Sequence, residues 1–405
     1  MKVLKLALIG TAALAAASVT ARADDLADLK AQIEALNGRI SQLEAAPAVP
    51  AGYQLLSVSK ADAIVVPSLD VDGAYKQTNV TTIGILPTAD VPASTNIQWS
   101  GYARAGLIYS HTSGVYPSGK KSGVDIAARG QLKVVGTTDT SVGEVGAQIQ
   151  IRGNYHGHGD AGTSFYSGYN SFKMNEAWGW WKMTPELTLG GGYTGSLSAI
   201  GYGIDGSCNC YYTDNASSSF YNHGDTTQMR LSYASGPMSA AIALEDDHGH
   251  ASHFYSESSL GVAGEVKYSG DMLSGEVSAG VWNKGTGVGA TSHAAWQIAA
   301  GMGFNLGDMA KLSIAAGTGR SHSNTKYWSA NALLSANLSD AVHAEIGYGH
   351  GHNMGARTED TALAGIYYDP VSQLTVGLEG EWIHDKNPGS KVSNTTVDLV
   401  TVFRF

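Results

Sequence analysis

The feature that most constrains this chain is a succession of short segments in which apolar side chains recur at every second position. These segments are joined by connections that are alternately tight and long. Ile97, Trp99, Ala103, Ala105, Leu107 and Tyr109 alternate with Gln98, Ser100, Tyr102, Arg104 and Ser110. Val124, Ile126, Ala128, Leu132 and Val134 alternate with Asp125, Arg129, Gln131 and Lys133. Val145, Ala147, Ile149, Ile151 and Tyr155 alternate with Glu144, Gln148, Gln150, Arg152 and Asn154. A period of two is the signature of a strand with one apolar and one polar face. Further segments near 171–183, 186–197, 226–235, 238–246, 259–269, 272–282, 294–305, 311–320, 326–337, 342–350, 360–369, 373–383 and 395–405 predict about sixteen strands. Most of them reach the roughly 9–11 residues of a tilted membrane-spanning strand.

The connections choose between a sandwich and a barrel. One set is tight, as at Thr184-Pro185-Glu186, Ser235-Gly236-Pro237, Ser269-Gly270-Asp271, Gly307-Asp308, Ser339-Asp340 and Asp369-Pro370. The other set, 111–123, 156–170, 198–225, 247–258, 283–293, 351–359 and 384–394, is longer and more polar, with 321–325 the short member. Short turns at one end and long loops at the other are expected of a transmembrane antiparallel β-barrel, whose two ends face different compartments. A sandwich has no reason to sort its loops in this way. The expected fold is therefore all-β, with the apolar stripes toward lipid and the polar stripes toward water.

Composition agrees. The 405 residues carry 15% charged side chains and a net charge of −10, against about 25% charge in ordinary soluble domains. Mean hydropathy is −0.10, as expected where lipid-facing and water-facing residues alternate and cancel. No segment after the N-terminal leader approaches the roughly 18 apolar residues of a spanning helix. The acidic balance argues against a nucleic-acid partner.

Residues 1–23 read as a secretory signal peptide: Lys2 and Lys5 precede an apolar run from Leu6 to Val19, and Ala21-Arg22-Ala23 supplies the small residues of a cleavage site. In 24–46, Leu26, Leu29, Ile33, Leu36, Ile40 and Leu43 are spaced alternately three and four apart, which predicts a short helix with a coiled-coil seam. An amphipathic helix lying on its own protein or in the barrel mouth is the other reading of that seam. Residues 47–96, with five prolines and no sustained periodicity, read as a linker, and 97–405 as the barrel. Asp62-Ala63-Ile64-Val65-Val66 resembles the energy-coupling box of active outer-membrane transporters. Those transporters need a plug and about 22 strands, so the match reads as chance.

Two places resist the simple pattern. Glu176 falls on the aromatic face of Phe172–Trp181, which implies either a bulge or a surface that meets another subunit. The longest irregular stretch, 198–225, is rich in Gly, Ser and Asn and carries Asp205, Asp214, Asp225 and both cysteines. Connections of such length are usually functional, and this one is expected to fold inward and narrow the channel. Cys208-Asn209-Cys210 admits a local disulfide staple, pairing with a neighbour, or a soft metal. Aromatics near strand ends, Trp99, Tyr109, Trp180, Tyr233, Tyr268, Phe304, Trp328, Tyr348, Tyr368 and Trp382, suit interfacial girdles.

The last strand places Val397, Leu399, Thr401, Phe403 and Phe405 on one face. It resembles the C-terminal signature of bacterial outer-membrane barrels, in which the terminal aromatic is read by the assembly machinery. Phe172-Lys173-Met174-Asn175-Glu176-Ala177-Trp178 and Leu187-Thr188-Leu189-Gly190-Gly191-Gly192-Tyr193-Thr194-Gly195-Ser196 resemble the basic/acidic strand and glycine-rich strand of general porins of the alphaproteobacterial, rhizobial type. That resemblance implies a sixteen-stranded homotrimeric barrel in the outer membrane of a Gram-negative bacterium. Such a barrel passes small hydrophilic solutes and ions by diffusion, and the loop after its fifth strand folds inside. The stretch 198–225 follows the fifth strand counted from Ile97.

On this reading Arg104, Arg129, Lys133, Arg152 and Arg230 line one side of the lumen. Glu245, Glu265, Glu276, Glu345, Glu379, Glu381 and Asp398 line the other, with Asp205, Asp214 and Asp225 on the loop. Fixed charges at a constriction set ion selectivity, and a lumen acidic in sum predicts a weak cation preference. His-x-His pairs such as His350/His352 read as hydrated loop residues in the absence of Cys or carboxylate partners at ligand spacing. No cofactor and no metal site is expected. An enzyme is disfavoured because no Gly-x-Ser-x-Gly elbow precedes a convincing partner. A substrate-specific channel, or an adhesive protein held to the cell wall by its N-terminal helix, are the competing readings.

Overall fold

The computed structural model describes residues 55–67, 69, 80–86, 94–114, 121–156, 172–201, 203–214, 224–246, 260–283, 293–322, 324–353 and 357–405. The expected signal peptide and heptad helix lie outside the described residues. Eighteen strands follow in order: β1 (Leu56–Ala61), β2 (Val80–Ile85), β3 (Thr95–Gly114), β4 (Lys121–Thr140), β5 (Gly143–His156), β6 (Phe172–Lys182), β7 (Leu187–Gly195), β8 (Asp225–Ser235), β9 (Met238–Asp246), β10 (Leu260–Ser269), β11 (Leu273–Trp282), β12 (Ala295–Asn305), β13 (Ala310–Arg320), β14 (Lys326–Ser339), β15 (Val342–Asn353), β16 (Arg357–Val371), β17 (Leu374–Asn387) and β18 (Ser390–Arg404).

From β3 onward each strand pairs antiparallel with the next, and β18 pairs back onto β3 from Val392↔Gly114 to Arg404↔Tyr102. Setting aside β1 and β2, sixteen strands therefore close on themselves. Closure matters because hydrocarbon offers no partner for an unpaired N–H or C=O, so only a sheet without edges can stand in it. Alternation then decides which side each residue faces. Ile126 on the outside is 63% exposed, while Arg104 on the inside of the neighbouring strand is 4% exposed. The apolar stripes face out and the buried polar residues face in, the reverse of a sandwich core.

The seam has a second layer. Phe405 exchanges backbone hydrogen bonds with Gly101, at 3.1 and 3.3 Å. Just beyond it, the freed edge of β3 is taken up by β2, from Thr81↔Trp99 to Ile85↔Thr95, and β1 pairs in turn with β2. The stretch expected to be a plain linker thus carries a hairpin that extends the wall below the C-terminus. Its six-residue strands are too short to have shown a sustained period.

Three further corrections concern surfaces and loops. The stretch 384–394 is strand on both sides of a two-residue turn at 388–389, and 351–353 and 357–359 are strand as well. Polar residues on both faces hid the strand extensions. Met174 pairs with Ile151 and Glu176 with Gln150, so the register slips by one at Asn175. This bulge turns Glu176, Trp178 and Trp180 inward, which removes Trp180 from the outer girdle. The other girdle aromatics remain on the outer face, Trp99, Tyr233, Tyr348 and Trp382 among them.

Candidate functional site

The described residues 196–201 and 203–214 of the connection from β7 to β8 run inside the barrel. Leu197, Ser198, Ile200, Ile204, Cys208, Tyr211, Tyr212 and Thr213 are all buried, although none belongs to a strand. A ribbon without secondary structure has no ladder for its own N–H and C=O groups, and buried backbone groups left unpaired cost about 1–3 kcal/mol each. Here the wall supplies the partners from its side chains.

Inward carboxylates take the donors. Glu245 on β9 accepts from Leu197 N at 2.8 Å and Ser196 Oγ at 2.7 Å. Glu276 on β11 accepts from Gly201 N at 3.0 Å, and Glu345 on β15 from Asn209 N at 3.0 Å. Glu379 on β17 accepts from Tyr211 N, Tyr212 N and Thr213 Oγ1 at 2.7, 2.9 and 3.2 Å. Glu381 accepts from Asp214 N at 2.8 Å. Hydroxyls and amides take the acceptors: Gln297 Nε2 and Ser278 Oγ donate to Ser198 O at 2.7 and 2.9 Å, and Ser313 Oγ donates to Gly203 O at 2.7 Å. A carboxyl oxygen can accept more than one N–H or O–H, so a few wall side chains satisfy most of the ribbon's donors.

As the ribbon advances its partners advance around the wall, from β9 through β11, β13, β15 and β17. Tyr211 and Tyr212 then reach β18, β3 and β4. Arg404 Nη2 donates to Tyr211 Oη at 2.6 Å, Tyr212 Oη donates to Ala127 O at 3.2 Å, and the Arg104 guanidinium lies 4.4 Å from the Tyr212 ring centroid. Burial pushes both tyrosine hydroxyls above their ordinary pKa, so they stay neutral. Small inward residues make room. A Cβ on Gly301 would lie 2.4 Å from Ile204 O, and Ala243, Ala263 and Ala299 pack under Leu197, Ile200 and Ile204.

The structure sorts the expected site residues into several groups. Glu245, Glu276, Glu345, Glu379 and Glu381 do face inward, but they are buried against the loop instead of standing in open lumen. Glu265 is paired with Lys267 at 3.1 Å. Asp398 is buried directly opposite Glu379. Asp225 begins β8 and alternates with inward Thr226 and Gln228, so it lies on the outer face and leaves the constriction set. Asp214 stays exposed on the loop. Asp205 is bonded by Ser207 N at 3.2 Å and by Ser207 Oγ, and burial pushes its pKa up to about 7. Cys208 and Cys210 form a disulfide with a Cα separation of 5.2 Å, beside Glu345.

The basic set divides too. Arg104 is covered by Tyr212, and Arg230 is buried near Trp178, donating to Gly195 O at 3.0 Å. Arg129, Arg152 and Lys133 are only half-buried on β4 and β5, with Arg129 bonded to Asn154 and Arg152 to Gln131. One lining element escaped the sequence reading. Residues 62–67 and 69 enter the barrel beside the hairpin. Gln98 holds Asp62 O at 2.9 Å and Ile64 N at 2.5 Å, and Val66 packs on Val135, Trp178 and Trp180. The apolar run Ile64-Val65-Val66 is the signal the sequence carries for this segment.

A closed barrel with a lipid-compatible exterior, a polar inner wall and a ribbon clamped across its interior defines a channel of the bacterial outer membrane. The chain belongs to the porin subfamily, whose sequence profile matches residues 92–402. The anion-selective porin of Comamonas acidovorans superposes with a TM-score of 0.58 at 16% identity, over 77% of this chain and 100% of that one. The outer-membrane channel DcaP of Acinetobacter baumannii superposes with a TM-score of 0.55 at 14% identity, over 79% and 99%. No curated protein matches the chain significantly. At these identities the likeness is one of fold.

Proposed function

We propose that the chain forms a passive, water-filled pore for small hydrophilic solutes and ions, with the ribbon at 197–214 as its constriction. The observation that carries this reading is the placement of the ribbon. Its described part is bound along β9 to β18 and reaches β3 and β4 through Tyr212. We therefore place the solute path along the inner wall of β4 to β8, narrowed there by Val66 against Val135, Trp178 and Trp180. On that wall stand Arg129, Lys133 and Arg152.

The acidic sum that argued for a cation preference loses its basis, because Glu245, Glu276, Glu345, Glu379 and Glu381 are engaged with loop donors and Glu265 with a lysine. The proposed preference is weak and on the anion side. Assembly as a homotrimer, with Phe405 as the handle for the assembly machinery, belongs to the same proposal.

Planar-bilayer recording of the purified native oligomer tests it. Ohmic channels inserting in steps of three, with a reversal potential in a salt gradient displaced toward the anion potential, are expected. A clear cation preference overturns the selectivity reading, and an absence of conductance overturns the function. Swelling of liposomes in sugars separates a pore from an adhesive protein.

A further inference from the structure

The ribbon carries one cluster that neither its clamping nor a solute path accounts for. Cys208 and Cys210 are joined in a disulfide, and their two sulfurs and a Glu345 carboxylate oxygen all lie within 4.8 Å of one another. Cys210 Sγ stands 3.9 Å from Glu345 Oε2. Cys208 is buried against Leu333 and Leu363, whereas Cys210 is half-buried.

The sulfurs are brought to Glu345 by the backbone around them and not by the bond between them. Asn209, between the two cysteines, donates its N–H to Glu345 Oε2 at 3.0 Å and its Nδ2 to Oε1 at 3.4 Å. On the far side of Cys210, Glu379 holds Tyr211 N and Tyr212 N at 2.7 and 2.9 Å. None of these bonds involves a sulfur, so opening the disulfide leaves both thiols beside the same carboxylate. Ser335 Oγ donates to Glu345 Oε1 at 3.1 Å and orients the carboxylate from its other side. Oε2 keeps a lone pair after accepting one N–H.

Thiolate sulfur selects soft cations. A tetrahedral zinc ion sits about 2.3 Å from sulfur and about 2.1 Å from a carboxylate oxygen, so its ligand atoms stand roughly 3.5–3.8 Å apart. The span of the three groups accommodates that spacing once the sulfurs part. Three protein ligands leave a fourth position for water, on the side where Cys210 is half-buried.

We propose that Cys208 Sγ, Cys210 Sγ and Glu345 Oε2 form a redox-gated site for a thiophilic divalent cation of the zinc class, closed while the disulfide stands. In the disulfide neither sulfur carries charge, and the carboxylate alone is a weak ligand. A small thiol opens the site by exchange. Its thiolate attacks Cys210, the more accessible sulfur, which forms a mixed disulfide and releases Cys208 as a thiolate. A second small thiol attacks the reductant's sulfur in that mixed disulfide and frees Cys210. Two reductant thiols thus become one disulfide, and the protein gains two electrons and two protons. The cation then displaces both thiol protons and forms two bonds to sulfur and one to oxygen. This inference is independent of what the pore conducts.

The test uses the full chain in neutral detergent, reduced with excess dithiothreitol and freed of it by anaerobic gel filtration. Cadmium is the probe, because its thiolate charge-transfer band in the ultraviolet reports ligation by sulfur alone, and native mass spectrometry counts ions per chain. The reduced chain is expected to take one sulfur-ligated cadmium with loss of two protons, the oxidised chain to show no band, and zinc to displace the cadmium. Cys208→Ser/Cys210→Ser should show no band, any cadmium it retains being held elsewhere. Glu345→Gln keeps an oxygen for Asn209 N but removes the charge. Outer-shell partners alone are worth about 10–100-fold in metal affinity, so loss of this direct ligand should weaken cadmium by at least tenfold. If Glu345→Gln does not assemble, Ser335→Ala replaces it, with a severalfold loss expected. A reduced chain with both thiols and no cadmium band, failure of zinc to compete, or an affinity unchanged in the Glu345 variant or its replacement overturns the proposal. So does one ion shared between two chains, or a disulfide that the dithiol reduces only after unfolding. Unitary conductance enters none of these readouts, so failure of the pore reading is distinguished from failure of the site.

Discussion

Glu379 Oε1 accepts the backbone N–H of Tyr211 at 2.7 Å, although the two residues are 168 positions apart. The same carboxylate takes Tyr212 N, Thr213 Oγ1 and, at 3.0 Å, Tyr367 Oη. A wall residue thus completes the hydrogen bonding of a loop that has no strand partner, and the constriction becomes a fixed object.

Glu379→Ala leaves these donors buried without an acceptor, at a cost of about 1–3 kcal/mol for each. The barrel should still assemble, because its ladders are untouched, but the ribbon should detach. Single-channel recordings are expected to show larger current fluctuations, with Glu379→Gln intermediate because its amide keeps one acceptor oxygen. Traces as quiet as those of the wild type in the alanine variant would count against the rack.

Gly106 is as close to the loop as a residue can be: a Cβ there would lie 2.4 Å from the Tyr212 ring. Gly106→Ala should push that ring off Arg104 and destabilise the loop by about 1–3 kcal/mol, as overpacking does. Tyr212→Ala should widen the passage beside β3 and β4 and raise unitary conductance. An unchanged conductance in Tyr212→Ala would place the narrowest point elsewhere.

Asp205 has a folded-state pKa of about 7, raised chiefly by burial and opposed by its bonds to Ser207. A carboxyl raised in the folded state binds its proton more tightly there than when unfolded. Its contribution therefore turns against the folded loop as pH rises from about 4 to about 7 and stays so above. Acidification from pH 8 to 5 should strengthen hydrogen-exchange protection around Gly203–Ser207, after correction for intrinsic exchange rates, and Asp205→Asn should remove the dependence. A wild-type loop whose corrected protection is flat across that range contradicts the assignment.

Val66 is 4% exposed against Trp178 and Trp180 inside the barrel. Val66→Asp sets a carboxylate against indole rings, a cost of several kcal/mol if it stays, so residues 62–69 should leave the lumen. Gln98→Ala, which releases Asp62 O and Ile64 N, should do the same more mildly. Conductance is expected to rise, together with protease cleavage in 62–69; a rise in neither would mean that the segment does not narrow the path.

Much of the fold was legible because a barrel in lipid repeats one simple rule at every strand. Ile126 and Ile149 had to face out and Gln148 and Arg152 in, and the sorting of short turns from long loops favoured a barrel over a sandwich. The rule failed where both faces meet water, as beyond His384, and at Asn175, where a single extra residue turned Trp178 and Trp180 inward. It also missed residues 62–69, whose few apolar positions are too short a run to carry a period.

The sequence by itself determined the closed β architecture, the outer apolar surface and the presence of an inward loop after the fifth barrel strand. All three follow from local alternation and from the lengths of the connections. Only the tertiary structure decided what the charges do. Whether Glu245, Glu345 and Glu379 line water or bond a ribbon depends on which chain segment lies within 3 Å of each carboxylate. That proximity is set by strands and loop separated by up to 168 residues, a distance over which local pattern carries no information.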